Sequence, residues 1–377
     1  MSVLILYSIS HQEILMKSLC QQVCNAGVCA DLLDVTSLDF FSPSGRKAPR
    51  LIRLYKNLSR LKPDYHRDRF ILWLVCRMAE KYDVIDFQGL FTPLFYTISK
   101  KLKQRGKVMK AHFWGSVLTL TKSHNKWWKV KVLENSELVQ VATEEMKGHV
   151  ADKFPEYLGR TVVCPFGNQH LDDLRELMEE SRQLDLGFTK IALTDKIVVC
   201  CGYNGKETQQ HIKMIQALGA LPVDVQKRLA VFFPMTYELK DEYLATVQDE
   251  LKDVAFSYDI IIQRMTELQL LSLRKVTDIV VNIQVVDALS ASLQEHIFCG
   301  GVLVAGEWLP YSLFTDHGIY YIKSGEDELS EKLLDTIQHL ETLKIKCRDN
   351  SQRIYDLTSW QAVIERWKDI YLRLDKL

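Results

Sequence analysis

The chain has 377 residues, 47% of them hydrophobic and 25% charged, and its 48 Lys/Arg balance 48 Asp/Glu. Such a length predicts two domains of comparable size, and the composition excludes disordered, collagenous and disulfide-stapled classes. The longest uncharged apolar run, Phe70 to Cys76, is too short to span a bilayer, and the opening MSVLILYSIS lacks the basic start of a signal peptide, so a cytoplasmic protein is expected.

Val3 to Tyr7 reads as a buried strand, followed by the loop Ser8-Ile9-Ser10-His11, a helix over 12–26 and a second strand from Val28 to Val35. A proline-containing loop precedes RLIRLYKNLSRLK. There Leu51, Leu54, Tyr55, Leu58 and Leu61 recur at helical spacing among arginines and lysines, which predicts a basic amphipathic helix over 50–62. Its apolar stripe suits either its own domain or a membrane surface. A helix over 68–80 leads into the strand Tyr82 to Gln88, and a helix over 93–105 into the strand Lys107 to Phe113, which runs on into Trp114-Gly115-Ser116. Val139 to Thr143 and Val162 to Pro165 complete the first series. Residues 181–195 read as a linker.

A second series has strands at Lys196 to Cys201, Leu229 to Pro234, Val254 to Ser257, Ile279 to Ile283, Val302 to Ala305 and Ile319 to Ile322. Strands that are apolar throughout and alternate with helices predict parallel sheets covered on both faces. The fold expected is α/β, with two Rossmann-like doubly wound domains facing across a cleft. Domain bounds of 1–180 and 195–354 follow. A last helix, 355–377, carries Trp360, Ile364, Trp367, Ile370 and Tyr371 on one stripe and is expected to pack across both domains.

Charge is segregated between the two series. Residues 1–170 hold 25 Lys/Arg against 15 Asp/Glu, or +10, and the remainder is −10. Residues 46–69 carry nine Lys/Arg against two Asp, and residues 99–133 carry ten against none. A basic first half suits an anionic surface or acceptor. The nine cysteines are odd in number and form no C-x-x-C, so they read as reduced core thiols. Cys20, Cys24 and Cys29 lack a partner that would complete a metal set.

Two constellations carry chemistry. Lys196 to His211 is a strand, a glycine turn and an expected helix start, in which Gly202, Tyr203, Asn204, Gly205 and Lys206 let the backbone approach an anion. It matches neither G-x-G-x-x-G nor the Walker loop. In Asp278 to Tyr311 a strand ends near Asp287, Ser290 and Ser292 offer hydroxyls and amides, and Gln294 and Glu295 stand on the following helix. The spacing places Asp287 and Glu295 at one cleft, around a seat for a diphosphate. Amides take the anion, and carboxylates accept from sugar hydroxyls. That chemistry fits a nucleotide sugar.

The arrangement Asp287-x7-Glu295, a small-residue stop and an apolar strand resembles the E-x7-E region of GT-B fold glycosyltransferases, family 4 retaining enzymes above all. Residues 287–295 and 306–311 are most similar to bacterial surface-polysaccharide transferases. A fainter likeness at Phe233 to Tyr237 and Asp241 to Tyr243 points to 4-acetamidofucose transferases. The resemblance implies transfer of a hexose from a nucleotide-sugar donor to a glycan acceptor, lipid-linked, in surface polysaccharide synthesis, with no metal or other cofactor, no nucleic acid and a peripheral place at the inner membrane face. It puts Glu295 on the ribose, Asp287 by the hexose and Ser290 and Ser292 by the diphosphate, with Gly202 and Tyr203 at the family's phosphate loop and Lys206 as the replacement cation; Asn204 and Gln294 are further donor-binding candidates, and Asp287 and Glu295 catalytic ones. The histidine of that family falls near Trp114, making His112 a catalytic candidate; His11, Gln88 and Trp114 are expected at the acceptor. Tyr203 stands where the family has arginine, and Asp287 where it has glutamate. An inverting reaction would need a base such as Asp86, His11 or His112. The alternatives are a non-catalytic GT-B partner subunit and a nucleotide-sugar epimerase.

Overall fold

The computed structural model describes residues 1–8, 13–50, 52, 67–119, 123–180, 183–287 and 289–377. His11 and most of the expected basic helix over 50–62 lie outside the described residues. The described chain forms two compact units, Met1–Gly167 with Trp360–Leu377, and Asn168–Ser359.

The first unit holds seven strands: β1 (Ser2–Tyr7), β2 (Cys29–Asp34), β3 (Phe40–Phe41), β4 (Val84–Gln88), β5 (Val108–His112), β6 (Leu138–Val141) and β7 (Thr161–Val163). Their order is β3-β2-β1-β4-β5-β6-β7, parallel throughout except for the short β3 against β2. Helices on both faces explain why these strands read as apolar runs rather than alternating ones. On one face Val3, Ile5 and Tyr7 pack with Trp360, Trp367 and Tyr371, so the closing helix Trp360–Leu374 belongs to this unit's core. The indole of Trp367 donates to Pro165 O at 2.8 Å.

The same closing helix roofs a ladder of polar side chains. Register pairs Asp86 with Lys110, Gln88 with His112, and His112 with Gln140, so strand alternation places all five on one face. Lys110 Nζ lies 3.0 Å from Asp86 with both side chains fully buried, and it donates to Gln140 at 2.6 Å. The Tyr371 hydroxyl donates to Asp86 at 2.6 Å, and Lys110 sits 4.5 Å from the Trp367 ring centre. Burial pushes the Lys110 ammonium down, against the pull of Asp86.

The second unit holds β8 (Ile197–Cys201), β9 (Leu229–Pro234), β10 (Ser257–Ile261), β11 (Ile279–Asn282), β12 (Val302–Gly306) and β13 (Ile322–Ser324). All are parallel in the order β10-β9-β8-β11-β12-β13. Two strands fall later than their apolar runs predict. At the sheet edges β10 and β13 are only partly buried, and there pairing with β9 and β12, rather than hydrophobicity, fixes the register. The unit boundary also falls before helix Gln169–Glu179 rather than at 180, because Leu171, Leu174 and Leu177 are buried with Leu293 and Ile297 of the second unit. No helix among the described residues is long and apolar enough to cross a membrane.

Candidate functional site

The strand order of the second unit reverses between β8 and β11, and the loops leaving the carboxyl ends of these neighbouring strands form the place where open α/β sheets bind ligands. The first loop turns on Gly202, whose φ of +70° favours glycine, and a Cβ there would stand 2.9 Å from both Gln209 Oε1 and His211 Nε2. Asn204 Oδ1 accepts from the Lys206 amide at 2.9 Å, an Asx turn that tightens the loop. The expected helix start at Lys206 is displaced: a 3-10 turn over Glu207–Gln209 and a left-handed Gln210 (φ 62°) intervene, and the helix begins at His211. Lys206 pairs through Nζ with Glu238 at 2.7 Å on the surface. Burial pushes the His211 imidazole down to about 4.

The second loop brings Asp287 back onto the first. Its Oδ2 accepts from the buried Tyr311 hydroxyl and faces Asn282 Nδ2 at 3.4 Å, while Oδ1 faces the Tyr203 hydroxyl at 3.4 Å. Tyr203 also accepts from Gln284 at 3.0 Å, and Gln284 accepts from Gln209 at 2.6 Å. Burial, then the Asp287 charge, pushes both tyrosine hydroxyls up, so they stay protonated donors. The tyrosine where the resembled family carries arginine is thus a neutral strut between the two loops.

Helix Ala291–Phe298 follows, with Ser290 as an N-cap whose side chain makes no cap bond. Ser292 Oγ and Gln294 Oε1 are buried with no partner, while Gln294 Nε2 donates to Leu289 O at 2.8 Å. Buried polar atoms ordinarily have a partner, so these two set the first turn of this helix apart. Glu295 departs from the expectation of a free carboxylate. It is 2% exposed, Oε2 accepts from Arg274 Nε at 2.9 Å, and Oε1 lies 3.0 Å from His170 Nδ1. Burial alone would raise its carboxyl, but His170 and Arg274 outweigh burial and hold it well below the usual range. Glu295 in turn pushes His170 up. Asp287 and Glu295 therefore sit in separate networks rather than together at one opening.

In the first unit, Gln88 and His112 lie at the carboxyl ends of β4 and β5. His112 is fully buried, stacked 5.0 Å from Phe166 and hydrogen-bonded through Nδ1 to Gln88 Oε1 at 3.0 Å. Burial and Lys110 push its imidazole well down. The candidate catalytic histidine thus lies inside the ladder beside Trp367, enclosed by packing. Trp114 is half-buried. Its indole donates to Gln88 Oε1 at 3.4 Å, and its ring meets Phe91 and Phe166 edge-on, giving an aromatic wall at that end of the sheet.

Among the described residues, His170, Asp173 and Glu267 form the grouping able to coordinate a cation, with ligand atoms within 4.8 Å of one another. Sequence reading missed Arg274, His170 and Tyr311. Only the spacing of Arg274 on an otherwise apolar helix face could have marked one of them.

No protein-family model matches the chain, and no curated protein matches its sequence. Solved structures do match it in three dimensions. Sucrose-phosphate synthase from Thermosynechococcus elongatus aligns with TM-score 0.73 at 12% identity over 99% of this chain and 98% of that one. Anabaena HepE in complex with UDP aligns with TM-score 0.71 at 13% identity over the whole of both chains, and HepE is also solved with UDP-glucose. An α,α-trehalose-phosphate synthase (UDP-forming) from Burkholderia vietnamiensis gives 0.71 at 11%, again over both whole chains. The chain has the GT-B fold that these proteins share.

Proposed function

We propose that the chain is a glycosyltransferase that moves a sugar from a uridine diphosphate sugar to a lipid-linked glycan acceptor in surface polysaccharide synthesis. The observation that carries this reading is the junction of Tyr203, Gln284 and Asp287 across the switch point between β8 and β11. Those loops lie where nucleotides bind in such sheets, and HepE, of the same fold, is solved with UDP and UDP-glucose.

The second unit holds the donor. Amides at the start of helix Ala291–Phe298 and the unpartnered Ser292 Oγ take the diphosphate. Lys206 exchanges Glu238 for the phosphates, and Asp287 accepts from hexose hydroxyls. Glu295 acts as a positioning residue that ties this helix to its neighbours through Arg274 and His170. The first unit takes the acceptor along Trp114 and its aromatic wall, with the buried Gln88 holding the Trp114 indole from behind. Stabilising the departing UDP is then electrostatic and positional: the bond from the anomeric carbon to the UDP phosphate oxygen breaks, the acceptor hydroxyl bonds to that carbon from the same face and gives its proton to the departing phosphate, and configuration is retained without a metal.

A thermal-shift panel of UDP, GDP, dTDP and CMP tests the reading. Stabilisation by UDP above the other three supports it. Stabilisation by none of them favours a non-catalytic partner subunit, for which the buried pairing of Glu295 is the motivating observation.

A further inference from the structure

Three neighbouring helices of the first unit, Arg67–Ala79, Leu94–Lys103 and Ser123–Asn135, each bury an apolar stripe. Ile71, Leu74 and Val75, then Phe95, Ile98 and Leu102, then Trp128, Val132 and Leu133 are buried. Two tryptophans face the other way: Trp73 is 49% exposed and Trp127 is 56% exposed. Each has an aromatic companion, Phe70 at 6.0 Å from Trp73 and Tyr96 at 5.6 Å from Trp127. Of the nine Lys/Arg on the three helices all but the buried Lys129 reach the surface, against Asp68 and Glu134 alone.

We propose that this face seats the protein on an anionic lipid bilayer. Indole and phenol rings are amphipathic and gather at the headgroup level of membranes, and clustered Lys and Arg are drawn to anionic leaflets. A second copy of the chain is disfavoured as the occupant, because it would bring the same positive face against this one. The placement rests on described residues and is independent of the segment over 50–62. It deepens the reading of the acceptor as lipid-linked, and rests on that reading only for the reason a membrane is needed.

Cosedimentation with vesicles of phosphatidylcholine, with and without phosphatidylglycerol, tests it in the absence of any sugar donor or acceptor. The full chain is expected to bind only the anionic vesicles, with a blue shift of tryptophan emission. Trp73→Ser/Trp127→Ser and Lys100→Glu/Lys101→Glu should each weaken binding about tenfold, with the thermal response to UDP unchanged as the control for folding. Equal vesicle binding by the double tryptophan variant, or no binding by the unaltered chain, would overturn the proposal. So would a shift of that variant from dimer to monomer in solution, which would assign the face to a second copy. Vesicle binding without any nucleotide response would leave this surface standing and remove the proposed transfer instead.

Discussion

Arg274 donates through Nε to Glu295 Oε2 at 2.9 Å, and neither side chain is more than 5% exposed. The pair joins two helices of the second unit, and Arg274 reaches on to His296 Nε2 at 3.0 Å. Removing one partner of a buried pair leaves the other charge uncompensated, which costs about 3–5 kcal/mol. Glu295→Ala should therefore lower stability to urea by that order and weaken UDP binding as a consequence of disorder in the helix. Restoring an apolar pair with Arg274→Met/Glu295→Met should recover most of the loss. A Glu295→Ala protein as stable as the parent would show that the pair holds nothing together.

His170 adds a pH dependence. Its imidazole is raised by Glu295, so its contribution is fully present below the ordinary histidine value of 6.5 and is lost as pH rises through its folded value. Glu295, held low, contributes above the ordinary carboxyl value and loses its contribution as pH falls. The destabilisation caused by His170→Gln should therefore be largest between about pH 5 and 6.5 and shrink toward pH 9. Melting curves of both proteins across that range give the comparison; a pH-independent gap would mean that the imidazole binds its proton equally well folded and unfolded, so that Glu295 does not hold it.

Tyr371→Phe deletes one hydroxyl from the closing helix and leaves the buried Asp86 short of a donor. Hydrogen bonds to charged groups are worth about 1.5–3 kcal/mol, and a loss of that order in urea unfolding is expected. A loss under about 0.5 kcal/mol, the level of an ordinary surface change, would show that Lys110 and the Gln88 amide, which donates to Asp86 at 2.8 Å, satisfy Asp86 without the helix.

At Gly202 an added methyl meets two obstacles, the left-handed backbone and a Cβ position 2.9 Å from Gln209 and His211. Gly202→Ala should cost about 1–3 kcal/mol of stability and weaken UDP binding by opening the loop that carries Tyr203. Unchanged UDP affinity in a calorimetric titration would separate this loop from the nucleotide.

Much of the fold was legible because buried parallel strands leave unbroken β-branched runs, as in Ile197–Cys201 and Ile279–Asn282. Asp287 and Ser292 stood out for the same reason, as polar residues breaking such a run. The edge strand β10 was misplaced because edge pairing needs little hydrophobicity. Arg274 and His170 were invisible because a buried charge reads like a surface one until its partner, 21 or 125 residues away, is known. The polar ladder of Asp86, Lys110 and His112 was likewise hidden, since only register shows that they share a face under Trp367.

Hydrogen exchange with and without UDP tests the central claim most directly, because it reports where a nucleotide sits. Amides of residues 202–210 and 289–295 are expected to slow on adding UDP, with β5 and β6 of the first unit unchanged. Slowing confined to the first unit, or no slowing anywhere at saturating UDP, would contradict the assignment of the β8–β11 switch point as the donor site.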